Sequence, residues 1–176
     1  MPSGLPHPRQ LAALGPVLCL YRSQAGGELS GWAQAACGRC ESVLDSDGLC
    51  QNMQFFDDEG RCCWRLYLLP DTDFLAWEQL VEALPECCAA EPEPGLGERL
   101  WLRLAGRLGG PAWRASVLRL HALPGGAGGA GVPLLAASLP RLSVCGTEFA
   151  CRIACREGAD CSTLADVHYG GMPAGA

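Results

Sequence analysis

Apolar positions along the chain switch repeatedly between two periods, and each switch marks an element. Residues 9–14 carry helical spacing until Gly15-Pro16 stops it, and residues 17–21 then read as a strand. Residues 22–31 are turn-rich, and residues 32–36 can form a helical turn. Two aromatic-rich runs within residues 52–68 flank the polar stretch Asp57-Asp58-Glu59-Gly60, which predicts a β-hairpin. Strict alternation on its second strand puts Cys62, Trp64, Leu66 and Leu68 on one face and Cys63, Arg65 and Tyr67 on the other. Pro70-Asp71-Thr72 then opens a helix in which Phe74, Trp77, Leu80, Val81 and Leu84 recur as one buried stripe, ended by Pro85.

The second half is less periodic. A helix is predicted over residues 96–108, with Leu100, Trp101, Leu104 and Leu108 inward and Arg99, Arg103 and Arg107 along its outer face. Residues 113–123 can form a strand that alternates poorly, and residues 147–156 a helix. Residues 124–132, nearly all Gly and Ala, read as a linker. The expected organisation is a disordered start over residues 1–8, a main domain over 9–123, the linker, and a segment 133–176 that is too short for its own core and packs back. The fold class is α+β: an antiparallel sheet with a central β-hairpin, flanked by helices.

Composition narrows the chemistry. All 13 basic residues are arginine, so Schiff-base lysines and the P-loop lysine are excluded. A net charge of -6 and a pI near 5.0 give nucleic acid and anionic lipid no general attraction. No apolar run reaches the roughly 18 residues of a bilayer span, and the first eight residues do not read as a secretory signal. The expectation is a cytoplasmic protein without membrane insertion, whose 12 cysteines are mostly free thiols.

In the hairpin and the helix after it, the run Met53-Gln54-Phe55-Phe56-Asp57, then Gly60, Tyr67-Leu68, Thr72-Asp73 and Ala76-Trp77, with Leu80 and Val81 in the helix, resembles a unit of the bacterial hemin-transport and haem-utilisation family. Leu14-Gly15-Pro16-Val17 through Tyr21-Arg22-Ser23 is similar to the family's opening strand. The resemblance covers about residues 10–84. It implies non-catalytic hemin handling, with haem as the cofactor or cargo and hemin as the small-molecule partner. It also implies a homodimer, because the family often carries two such units in one chain and this sequence has one. The sequence departs from the family where a histidine would ligate iron: Gln24-Ala25-Gly26-Gly27-Glu28 stands there. Trp64-Arg65 replaces the family's His-Lys pair.

The resemblance and the residue chemistry together single out Arg22 and Arg65 for the haem propionates, since a guanidinium matches a carboxylate bidentately. Tyr67 and Cys63, on the face assigned to Arg65, are the candidate iron ligands in place of the histidine. Two other readings stand beside this one: a structural or regulatory relative without haem, and a zinc or thiol-redox module on Cys37 and Cys40. Asp45-Ser46-Asp47-Gly48 is a turn and no calcium loop, because the glycine and the twelfth-position carboxylate are misplaced. Cys151 and Cys155 share a helical face, with Cys161 and His168 beyond; His7 and His121 read as structural or exposed. No serine-hydrolase elbow, phosphate loop or zinc-protease helix occurs.

Overall fold

Strand β1, Pro16–Arg22, is buried at its first six positions, so neither of its faces can meet water. Both sides of the sheet around it must be covered. In the computed structural model, which describes residues 5–22, 26–45, 48–84, 113–125, 134–162 and 164, they are. The elements run α1 (Pro8–Ala13), β1, α2 (Ser30–Gln34), β2 (Cys37–Asp45), β3 (Gly48–Phe56), β4 (Cys62–Tyr67), α3 (Phe74–Ala83), β5 (Trp113–Leu123), β6 (Leu134–Ser138) and α4 (Val144–Glu157). The six strands form one open antiparallel sheet in the order β2-β3-β4-β1-β5-β6. The fold is therefore α+β, with the predicted hairpin supplying β3 and β4.

Each sheet face has its own core. On one, Val17, Cys19, Met53, Phe55, Trp64 and Leu66 pack against Leu11 and Leu14 of the α1 segment and Trp77 and Leu80 of α3. On the other, Leu18, Leu20, Tyr67, Ala115 and Val117 pack beneath Ala150, Ile153 and Ala154 of α4. The C-terminal segment thus packs back on the sheet, and its helix begins three residues earlier than its periodicity predicts.

Local chemistry fixes the helix ends. His7, placed by its sequence position in the disordered start, is the N-cap of α1 and forms a capping box with Gln10. Asp73 caps α3 through the Ala76 amide. Asp71 serves a distant helix instead: it accepts from the Ser143 amide at 2.8 Å and from the Ser143 hydroxyl at 2.9 Å, while Ser143 Oγ in turn caps α4. At its other end α4 stops at Gly158, in the left-handed region with φ of 65°. Asp160 then bridges to β5 through the Ala115 amide and the Trp113 carbonyl, each at 2.8 Å. α4 is pinned to the sheet at both ends.

Three sequence expectations need correction. Residues 37–40 form the start of the nine-residue β2, where no strand is predicted; register pairing with β3 overrides their weak strand character. β6 lies where no strand is predicted, because Leu-Leu-Ala-Ala-Ser carries no alternation and is paired only by its neighbour β5. Phe74 is 54% exposed, so the buried stripe of α3 begins at Trp77. The helix expected over residues 96–108, with Arg99, Arg103 and Arg107, lies outside the described residues, as does His168. No helix among the described residues is long and apolar enough to cross a membrane.

α2 and β4 meet closely in the aromatic core. Trp64 is fully buried, donates from Nε1 to the Glu28 carbonyl at 2.8 Å, and packs at a tilt against Phe55 and Trp32, with ring centroids 5.3 and 5.8 Å away. Gly31 lies directly on it, so that a Cβ there would stand 2.8 Å from the Trp64 Cβ. Trp64→Ala is expected to lower the unfolding free energy by about 3–5 kcal/mol, and Gly31→Ala by about 1–3 kcal/mol. Chemical denaturation with unchanged m-value checks both; unaltered midpoints would mean that the α2–β4 contact contributes nothing to the native state.

Candidate ligand site

A single irregularity decides which side chains share the α4 face. Pairing between β3 and β4 runs Phe55↔Trp64 and then Phe56↔Cys62, so Cys63 is the extra residue of a β-bulge. Cys63 and Trp64 consequently both belong to the core under α1 and α3. Cys62 swings to the opposite face, where Arg65 Nε donates to its Sγ at 3.3 Å. Strict alternation assigns Cys63 to the Arg65 face, and the bulge reverses that assignment.

On the α4 face the end of the sheet gathers charge around one indole. The Arg22 guanidinium lies 4.0 Å from the Trp113 ring centroid and the Arg65 guanidinium 4.9 Å from it. Register explains the meeting: Arg22 is opposite Trp113 across β1 and β5, and Arg65 opposite Leu20 across β4 and β1. Arg65 Nη1 also donates to Glu157 Oε2 at 2.9 Å, in the last turn of α4. Burial lowers the Arg22 pKa; Cys62 opposes that, and the like charge of Arg65 adds to it. Burial works against the Arg65 charge too, but Cys62, Tyr67 and Glu157 outweigh it and its pKa moves up. Trp113, Arg22 and Cys62 are each partly exposed, so the cluster is accessible at the rim.

Of the four residues singled out from the sequence, the structure brings Arg22, Arg65 and Tyr67 to one face and puts Cys63 on the other. Tyr67 lies beneath α4, only 1% exposed. Burial and then the Glu157 carboxylate raise its pKa, so its phenol keeps its proton at neutral pH. Cys63 is buried, donates to the Gly31 and Phe55 carbonyls, and its thiol is pushed up to about 11, chiefly by burial. Cys37 and Cys40, three residues apart on a strand, point to opposite faces, and Cys40 packs toward the α3 core. Among the described residues no group of three or more His, Cys, Asp or Glu could hold a metal ion. His121 contacts Ser138 on β6, at 2.7 Å, away from the cluster.

Sequence reasoning missed Trp113, Cys62 and Glu157. Trp113 carries a signal, an aromatic at the start of a strand beside an arginine, but only the β1–β5 register shows which arginines it serves. An apolar groove of about 230 Å3 lies elsewhere, lined by Leu49, Leu68, Leu69, Phe74 and Phe149 among others. It is smaller than the roughly 300 Å3 at which pockets for drug-sized ligands begin.

Fold and site together define an α+β domain with a guanidinium–indole cluster at the end of one sheet face. No protein-family model matches the sequence, and no curated protein matches it. Among solved structures the chain is similar to holo-PhuS, a heme-binding protein from Pseudomonas aeruginosa, at 20% identity and a TM-score of 0.27, covering 47% of this chain and 31% of that one. It is similar to apo-PhuS at 21% identity and a TM-score of 0.26, covering 47% and 30%. The match therefore spans about three-tenths of the length of those structures.

The bulge makes a direct prediction about thiol chemistry. Since the thiolate is the nucleophile, Cys63 should resist iodoacetamide at pH 8 and react only as the pH nears about 11 or the protein unfolds. Peptide mapping by mass spectrometry reads this residue by residue. Rapid labelling of Cys63 in the folded protein would place its side chain outside the core and undo the face assignment.

Proposed function

We propose that the chain is a non-catalytic binder of a planar, dianionic porphyrin of the hemin class, held at the Trp113 end of the sheet. The observation that carries this reading is the pair of guanidinia, Arg22 and Arg65, converging on one partly exposed indole. Two fixed guanidinia suit two carboxylates, and the indole offers a flat apolar surface for a ring. The residues fit the propionates of such a ligand. For the iron they offer Cys62 at the cluster's rim, whereas Tyr67 and Cys63 are both closed off by packing. If a thiol takes the iron, the bound ligand supplies a redox-active metal; the chain's own part is to seat the ring and neutralise its carboxylates.

A specific observation favours a second reading, a scaffold that has kept the fold without the ligand. His7 caps α1 and His121, eight residues along β5 from Trp113, contacts Ser138, so neither imidazole described stands at the cluster. Arg65 already has a carboxylate partner in Glu157, which a propionate would have to displace or share.

Hemin titration separates the two. Saturable binding with a Soret band distinct from free hemin is expected, with Arg22→Ala and Arg65→Ala each weakening it by about tenfold, the loss of one charge-assisted pair. Wild-type spectra that merely superpose free hemin on protein would leave the scaffold reading standing alone.

A further inference from the structure

β2 ends the sheet, and among the described residues no strand adjoins its outer edge. It is nine residues long, contains no proline and pairs with β3 without a register shift, so its unpaired amides and carbonyls can template another strand. Its charges, Arg39, Glu41 and Asp45, admit only a strand that matches them. At the tip of the β2–β3 hairpin Val43, Leu44 and Leu49 are 41%, 79% and 56% exposed. The geometry points to an occupant for this edge: β2 of a second copy of this chain, paired antiparallel about a two-fold axis through Cys40.

Charge sets that register. A two-fold axis perpendicular to the sheet keeps each face continuous, so directly opposed residues must lie on the same face. Arg39 and Glu41 flank Cys40 by one residue on either side and share the α4 face. An axis through Cys40 sets Arg39 opposite Glu41 of the second copy, and Glu41 opposite its Arg39. An axis through Arg39 would oppose two guanidinia, and one through Glu41 two carboxylates, both unfavourable; one through Ser42 would match Arg39 with Asp45 but leave Glu41 against Val43, so only the axis through Cys40 pairs both Arg39 and Glu41 with an unlike charge. The favoured register also lays Val43 and Leu44 beside residues 37 and 36 of the second copy and so covers the exposed tip.

The two charged side chains are already held in position. Arg39 donates from Nη2 to Gln54 Oε1 at 3.0 Å and lies over the Phe56 ring, while Glu41 accepts from the Asn52 and Gln54 amides. Asn52 and Gln54 are buried, so this row is anchored in the sheet. The dimer would run two sheets into one and leave the Trp113 cluster, which spans β4, β1 and β5, two to four strands away from β2.

Sedimentation velocity on the full chain across a dilution series tests this. The wild type should show a concentration-dependent dimer, and Arg39→Glu and Glu41→Arg alone should each weaken it by about tenfold or more. Mixing the two single variants should restore association, because the R39E chain then opposes the E41R chain with both pairs complementary. The doubly exchanged R39E/E41R chain should dimerise by itself. A wild type that stays monomeric, a dimer indifferent to both single variants, or variants that do not reassociate on mixing would overturn the proposal. Should a single variant fail to fold by circular dichroism, diamide oxidation decides: two Cys40 thiols give two protons and two electrons to the azo reagent and form one disulfide. Peptide mapping should find the Cys40–Cys40 link in the wild type, because opposed strand residues stand about 4.5–5.5 Å apart and a disulfide needs about 4.4–6.8 Å. Its absence would overturn the proposal equally.

Discussion

The double burial of β1 is the constraint on which the rest depends. A strand with Val17, Cys19 and Tyr21 on one side and Leu18 and Leu20 on the other has no face to give to solvent. Burying each such side chain is worth about 1.5–3 kcal/mol, so leaving one face bare would forfeit a sizeable part of a domain's stability. The N-terminal helices and α3 cover the first face locally in sequence. The second needs α4, which arrives from the far end of the chain. That long return explains the two unusual attachments, Asp71 to Ser143 across 72 residues and the Asp160 bridge to β5. Loop closure over such a distance costs entropy, and side-chain and backbone anchors at both ends offset it.

Much of this architecture was legible where the pattern was local. β1, the β3–β4 hairpin, α3 and α4 all announce themselves by period and by punctuation such as Gly15-Pro16 and Gly60, and the α+β class follows. β2 and β6 were not legible, because an edge strand is specified by the neighbour that pairs with it rather than by its own apolar count. Gly38 in β2 and the alanines of β6 are poor strand formers that register alone recruits. Asp71 illustrates a different limit. It stands where a helix cap belongs in sequence, yet the cap is Asp73, two residues on, and no local rule could assign Asp71 to a helix starting at Val144.

At the candidate site the decisive error of alternation is a single residue. Period-two reasoning is sound only while the ladder is regular, and one inserted residue inverts every face assignment before it. Arg65 and Tyr67, beyond the bulge, keep the faces read from the sequence; Cys62 and Cys63 exchange theirs. The consequence is chemical. The thiol that sequence places beside the guanidinium is a buried donor to two backbone carbonyls, and the thiol that stands there is its neighbour.

The cluster also shows how an acidic chain can keep a cationic patch. With a net charge of -6, the field of the whole molecule draws no anion inward, so any anion must be recognised at short range. Burial lowers the Arg22 pKa, and the like charge of Arg65, within 5 Å of the same ring, adds to that. Glu157 holds Arg65, and the Trp113 indole lies against both guanidinia, so the cluster is kept together by short-range contacts rather than by the charge of the whole chain. The place of those contacts is set by α4, whose last turn delivers Glu157 to Arg65 just before the chain leaves the helix at Gly158.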